Sequence, residues 1–127
     1  MRILVCGGRD FGYIVENACK KKDFVLLNKA MDFVMSYKPT TIIQGKAKGG
    51  DEIGGFVAEA LKLEHLIFPA DWDKYGKGAG HIRNQQMLDE GKPDLVIAFE
   101  GGRGTANMIQ RSKKAGVKVI EVTKDDL

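Results

Sequence analysis

Apolar positions along the 127-residue chain follow two kinds of pattern. Five short runs, residues 3–6, Thr41–Gln44, residues 65–68, Leu95–Phe99 and Lys118–Val122, are mostly continuous in apolar character rather than alternating. Such runs suit strands of a parallel sheet covered on both faces, because neither face is left to water. Between them the spacing changes to three and four. Phe24, Leu27, Met31 and Val34 recur at that period with Asn28, Lys29, Asp32 and Ser36 opposite, which predicts a helix with Asp23 as N-cap and Pro39 as the stop. Residues 51–62 predict a second helix with Ile53, Val57, Ala60 and Leu61 inward. Residues 79–90 predict a third, stopped by Gly91 and Pro93, and residues 104–115 a fourth, closed by Gly116.

Strands alternating with helices over short connections imply right-handed crossovers and an open, doubly wound α/β sheet. At this length the expectation is one domain, residues 1–127, with a core of its own and no linker or repeat. Two connections, residues 7–22 and 69–78, are longer than such a fold needs, and long glycine-bearing loops commonly shape a ligand site. Composition agrees with a soluble globular chain: 43% hydrophobic, 29% charged, and no apolar run long enough for a bilayer. The chain opens on a strand-like segment without a leader pattern, and Cys6 and Cys19 share no metal-ligand or CxxC spacing. A cytoplasmic, reducing setting with free thiols is therefore expected, with no membrane partner.

The 16 glycines are nearly twice the usual share, and they collect where strands hand over to helices. The first run ends in Gly7-Gly8-Arg9-Asp10, the second in Gly45-Lys46-Ala47-Lys48-Gly49-Gly50-Asp51, and the fourth in Gly101-Gly102-Arg103-Gly104-Thr105. All three turns fall at the carboxyl edge of the sheet, where open α/β folds bind ligands. Glycine there allows close backbone approach, and helix N-terminal N–H groups attract phosphate. With Arg9, Lys48, Arg83 and Arg103 nearby in sequence, the pattern reads as a phosphate site. The familiar nucleotide and hydrolase signatures are missing: no GxxxxGK[ST], no GxGxxG, no GxSxG, and no metal-binding role for His65 or His81. No motif calls for a cofactor. A net charge of +3, short basic clusters such as Lys20-Lys21-Lys22, and sparse aromatics argue against single-stranded nucleic acid as the ligand.

Gly101-Gly102-Arg103-Gly104-Thr105 resembles the GGxGT signature of the SLOG superfamily, which includes LOG-type nucleoside-monophosphate phosphoribohydrolases and the DNA-processing protein DprA. Gly7-Gly8-Arg9-Asp10-Phe11, the 45–51 loop, Pro69-Ala70-Asp71-Trp72 and the 78–87 segment make the chain similar to the YspA-related branch of small stand-alone domains, over nearly its whole length. The resemblance implies a Rossmann-like sheet of strand order 3-2-1-4-5, a nucleotide or nucleotide-derived ligand, and pairing as a homodimer. It also implies a role for Arg83, since Arg83-Asn84-Gln85-Gln86-Met87 is similar to the arginine segment R-K-x-x-M of LOG-type enzymes, with Asn84 in place of lysine. The glutamate of the LOG-type pattern falls on Met108. A thioether neither ionises nor donates a hydrogen bond, so it cannot steady an oxocarbenium ion.

Three functions therefore stand in order. The first is a sensor or carrier of a nucleotide-derived small molecule. In it Gly7, Gly8, Gly45, Gly49, Gly101, Gly102, Gly104 and Thr105 wrap the ligand, Arg9, Lys48 and Arg83 neutralise phosphate, Asn84 binds, and Trp72 stacks on a base. The second is a nucleoside-monophosphate N-glycosidase or related hydrolase, with Arg83 and a carboxylate from Asp10 or Asp51 as the catalytic groups. The third is single-strand nucleic-acid binding. Plainer roles compete at several positions: Asp10 and Asp51 also fit as caps or loop carboxylates, Trp72 as a core anchor, and Arg83 as a solvated helix residue.

Overall fold

The computed structural model describes all 127 residues. Five parallel strands form the main sheet: β1 (Arg2–Cys6), β4 (Thr41–Gln44), β5 (Glu64–Ile67), β6 (Leu95–Phe99) and β7 (Lys118–Val122). Their order is β5-β4-β1-β6-β7. That numbering departs from the expected 3-2-1-4-5 because β2 (Tyr13–Glu16) and β3 (Cys19–Lys22) form a separate antiparallel hairpin between β1 and the first helix. Counted without the hairpin, the parallel strands run 3-2-1-4-5.

Successive side chains of a strand point to opposite faces, and here both faces are covered. Ile3 and Val5 of β1, Ile42 of β4 and Ile97 and Phe99 of β6 pack on one side with α1 (Phe24–Met35) and α2 (Gly50–Leu61). Leu4, Cys6, Ile43, Val96 and Ala98 pack on the other with Met87 and Leu88 of α4 (Ala79–Gly91) and Met108 of α5 (Arg103–Lys114). This two-sided burial is why the strand sequences are continuous in apolar character. No helix is long and apolar enough to cross a membrane.

The helix boundaries follow their signals closely. Asp23 caps α1, its carboxylate accepting from the Leu26 N–H at 3.1 Å. Gly116 has φ +78° just beyond α5, the left-handed residue that ends it. The inward faces differ in detail. Phe24 is 68% exposed, because the cap sets α1 in a phase that buries Leu26, Leu27, Ala30 and Val34 instead. In α2, Ala60 and Leu61 are exposed while Gly54 and Ala58 are buried, since the helix lies so close to β1 that a Cβ on Gly54 would come within 2.9 Å of the Val5 Cβ. Helix α4 runs one residue past Glu90, and Lys92, not Gly91, takes the left-handed conformation; Gly91 packs against Ile43.

The long first connection holds the hairpin. Its two-residue turn, Asn17-Ala18, has φ of +52° and +61° at the two positions. One hairpin face rests on α2: the Tyr13 hydroxyl donates to the Glu52 carboxylate at 3.0 Å, and the Lys22 ammonium lies 5.3 Å from the centre of the Phe56 ring. Lys20, Lys21 and Lys22, expected in a solvated loop, are strand residues with exposed side chains. The second long connection contains a short helix, α3 (Trp72–Tyr75), capped by Asp71, and a single 3₁₀ turn, Gly76–Gly78.

Candidate functional site: a basic cleft at the carboxyl edge of the sheet

Strand β1 is the middle strand, and its terminal turn is held from both sides. The Gly8 N–H donates to the Glu100 carbonyl at 3.2 Å, and the Gly8 carbonyl accepts from the Gly50 N–H at 3.1 Å. The loops after β6 and β4 are thus sewn to the loop after β1. Glycine makes this possible at two places. A Cβ on Gly8 would lie 2.7 Å from the Gly101 Cα, and Gly49, with φ +83°, would drive a side chain into the Gly8 carbonyl. Gly49 and Gly101 are therefore packing residues beneath the site rather than part of its wall.

Above this seam opens a cleft of about 950 Å³. Gly7, Gly8 and Arg9 reach it from the first loop, Gly45, Lys48 and Asp51 from the second, and Gly102, Gly104 and Thr105 from the fourth. Trp72, Arg83, Asn84 and Met108 complete the wall among the residues singled out from the sequence. Arg103, expected as a phosphate-site cation, also lines it, as do Lys46, Lys77 and His81. Asp10 does not. Its carboxylate is exposed and paired with the Lys20 ammonium at 2.7 Å, and that hydrogen bond and charge hold its ionisation below the ordinary carboxylate range. The hairpin that supplies Lys20 is what draws Asp10 away.

Arg83 enters from the second turn of α4. Its Nη1 donates to the Gly45 carbonyl and, at 3.5 Å, to that of Phe68; its Nε donates to Asn84 Oδ1 at 3.1 Å. Nη2 makes no bond within the protein. Asp51, 5% exposed, accepts from the Ala47 N–H at 3.3 Å. Burial pushes its ionisation up to about 6, against the opposing pull of Arg83 and of the Ala47, Gly45 and Gly7 N–H groups. Cys6 forms the floor. Burial first, and the nearby Asp51 charge second, push its thiol far above the ordinary value, so it stays protonated and is no nucleophile.

The helix starts differ in what they offer. At α2 the first N–H is taken by Gly8. At α4 and α5 no side chain caps the terminus, whereas α1 and α3 are capped by aspartates. No three His, Cys, Asp or Glu side chains come together as a metal centre would need. Sequence reasoning gave no site role to Lys46, Lys77 or His81; Lys46 was visible as a basic residue within the second glycine turn, His81 was weighed only as a metal ligand, and Lys77 had no signal.

The fold and the site together define an open α/β domain of Rossmann-like architecture with a basic, glycine-walled cleft at its carboxyl edge. The chain is similar to the Gene 61 protein of Mycobacterium phage D29, 35% identical over 86 residues that span 62% of this chain and 68% of that protein. It belongs to the same family as that phage protein. No family model matches the chain, and no solved structure matches it.

Proposed function

We propose that the cleft binds a nucleotide or nucleotide-derived small molecule, making the protein a sensor or carrier of that ligand. The observation that carries this reading is the charge of the wall: six lysine and arginine side chains face one buried carboxylate, Asp51. An excess of that kind, confined in a concave site, favours a phosphate-bearing anion. Two further features support it. A Cβ on Gly102 or Gly104 would meet nothing within 4 Å, so packing does not require glycine at either position, whereas a ligand approaching the backbone would. Trp72 is 54% exposed at the cleft, beside Gly80, and a half-exposed indole there suits stacking on a base. On this reading the chain is SLOG-like and cytoplasmic. Native mass spectrometry of freshly purified protein tests it: a bound species of nucleotide-like mass is expected, lost when Arg9 and Arg103 are both changed to Ala. A ligand-free wild type that also ignores added nucleotides would overturn it.

A second reading, an N-glycosidase acting on nucleoside monophosphates, is favoured by one observation. Asp51 ionises near pH 6 inside the cleft next to Arg83, the range a general acid or base requires. Against it, Met108 lines the cleft where a LOG-type enzyme would carry glutamate. Loss of a positioned acid–base group typically costs on the order of a hundred- to ten-thousand-fold in rate. Free base should therefore be absent or very slow to form when the protein is incubated with nucleoside monophosphates. Brisk release, abolished by Asp51→Asn, would establish the enzyme instead.

A further inference from the structure

We infer that Arg111, in the last turn of α5 on the side toward α4, is a positioning residue for the cleft, acting through Asn107 and Asn84 on the guanidinium of Arg83. The contacts form an unbroken chain. Arg111 Nε donates to Asn107 Oδ1 at 2.9 Å. Asn84 Nδ2 donates to the same oxygen at 3.1 Å and to the Gly104 carbonyl at 3.2 Å. Asn84 Oδ1 accepts from Arg83 Nε at 3.1 Å.

The direction of every amide in this chain is forced. A guanidinium only donates and a carbonyl only accepts. Asn84 must turn its oxygen to Arg83 and its nitrogen to Gly104, and Asn107 must turn its oxygen to Arg111. Asn84 is 4% exposed and spends both ends of its amide inside the protein, so it holds Arg83 at the cleft wall. Asn84 is buried and Arg83, Asn107 and Arg111 are half-buried, so removing Arg111 leaves Asn107 held only through Asn84 and loosens the amide on which Arg83 Nε rests.

Arg111 is itself fixed to α4, where its Nη1 donates to Gln85 Oε1 at 3.0 Å. It has no carboxylate partner. Its donors are spent on neutral amides: Nε on Asn107, which leads through Asn84 to the cleft, and Nη1 on Gln85, which anchors it to α4. The result is that Arg83 is restrained at Nε from one side and at Nη1 by the Gly45 carbonyl from the other, leaving Nη2 for the cleft.

The effect on affinity rests on the phosphate reading above; the effect on Arg83 does not. The test uses the full chain labelled with ¹⁵N, with the Arg83 Nε–Hε resonance identified by its loss in Arg83→Lys. Arg111→Met keeps the aliphatic stem and removes the donors; Asn107→Leu cuts the chain at its middle and serves if the first variant does not fold. Exchange of the Arg83 Nε–Hε hydrogen with solvent should become about tenfold faster in either variant, with the backbone amides of β6 unchanged. Adenosine 5′-monophosphate should bind about three- to tenfold more weakly to either variant, and adenosine equally well to all three proteins. An Arg83 Nε–Hε signal unaltered by both substitutions would overturn the inference. A wild type that binds no nucleotide would instead defeat the proposed function, and the exchange data would still decide the role of Arg111.

Discussion

Asp51 sits where a charge is costly. A carboxyl whose ionisation lies at about 6 in the folded chain, against 3.8 ordinarily, binds a proton more tightly when folded than when unfolded. The folded state then holds more protons across that window, so this group's contribution falls as pH rises through it, and the cost is complete above about pH 6. The size is on the order of 3 kcal/mol. Asp51→Asn, which keeps an oxygen for the Ala47 N–H, should raise stability at pH 8 and leave it unchanged at pH 3. Urea denaturation of both proteins across that range measures it, and an advantage that does not vary with pH would count against the assignment. Gly104 gives a prediction of the opposite kind. It lies in the first turn of α5 with open space where a Cβ would go, so Gly104→Ala should stabilise the helix by up to about 1 kcal/mol. The same methyl would stand between a ligand and the loop, so nucleotide affinity should fall while the melting temperature rises. A rise in both would show that the ligand does not approach Gly104.

At the scale of elements, the hairpin of β2 and β3 is the least supported part of the fold, two strands with mostly exposed side chains. Its turn asks Ala18 for a left-handed conformation that glycine adopts at no steric cost. Ala18→Gly should therefore stabilise the hairpin by on the order of 1 kcal/mol, read as slower hydrogen exchange at Ile14 and Lys21, whose amides face each other across the ladder. Faster exchange there would contradict the turn geometry. The same turn explains why the hairpin escaped the sequence reading. Asn17-Ala18 lacks the Asn-Gly dipeptide that marks such turns, and Cys19-Lys20-Lys21-Lys22 has no alternating apolar face. The three central strands, β1, β4 and β6, were legible because each is buried on both sides and its residues say so. The edge strands β5 and β7 are partly exposed and still carry a short apolar run. Helix phase was less legible. Phe24 and Leu61 fit the apolar period, but the cap at Asp23 and the close seat of Gly54 on β1 decide which stripe faces the sheet, and neither shows in periodicity alone.

Over the whole molecule, the sheet brings three distant glycine turns to one edge, which their positions after strands already implied. What the sequence concealed was the division of labour among them. Gly49 and Gly101 serve the seam between loops, Asn84 serves Arg83, and Asp10 is drawn off by Lys20 of a hairpin that was not foreseen. Each depends on contacts between residues far apart in the chain. The central claim is that the cations gathered at this edge receive the phosphate of one small ligand. Titration of ¹⁵N-labelled protein with nucleoside 5′-monophosphates, followed amide by amide, tests it most directly. The amides of residues 7–9, 45–48 and 102–105 should shift together along one saturation curve, and the parent nucleosides should bind at least about tenfold more weakly, the loss expected when charge-assisted bonds to phosphate are missing. Shifts confined to the lysines of the hairpin, or no shift at any concentration tried, would contradict the account.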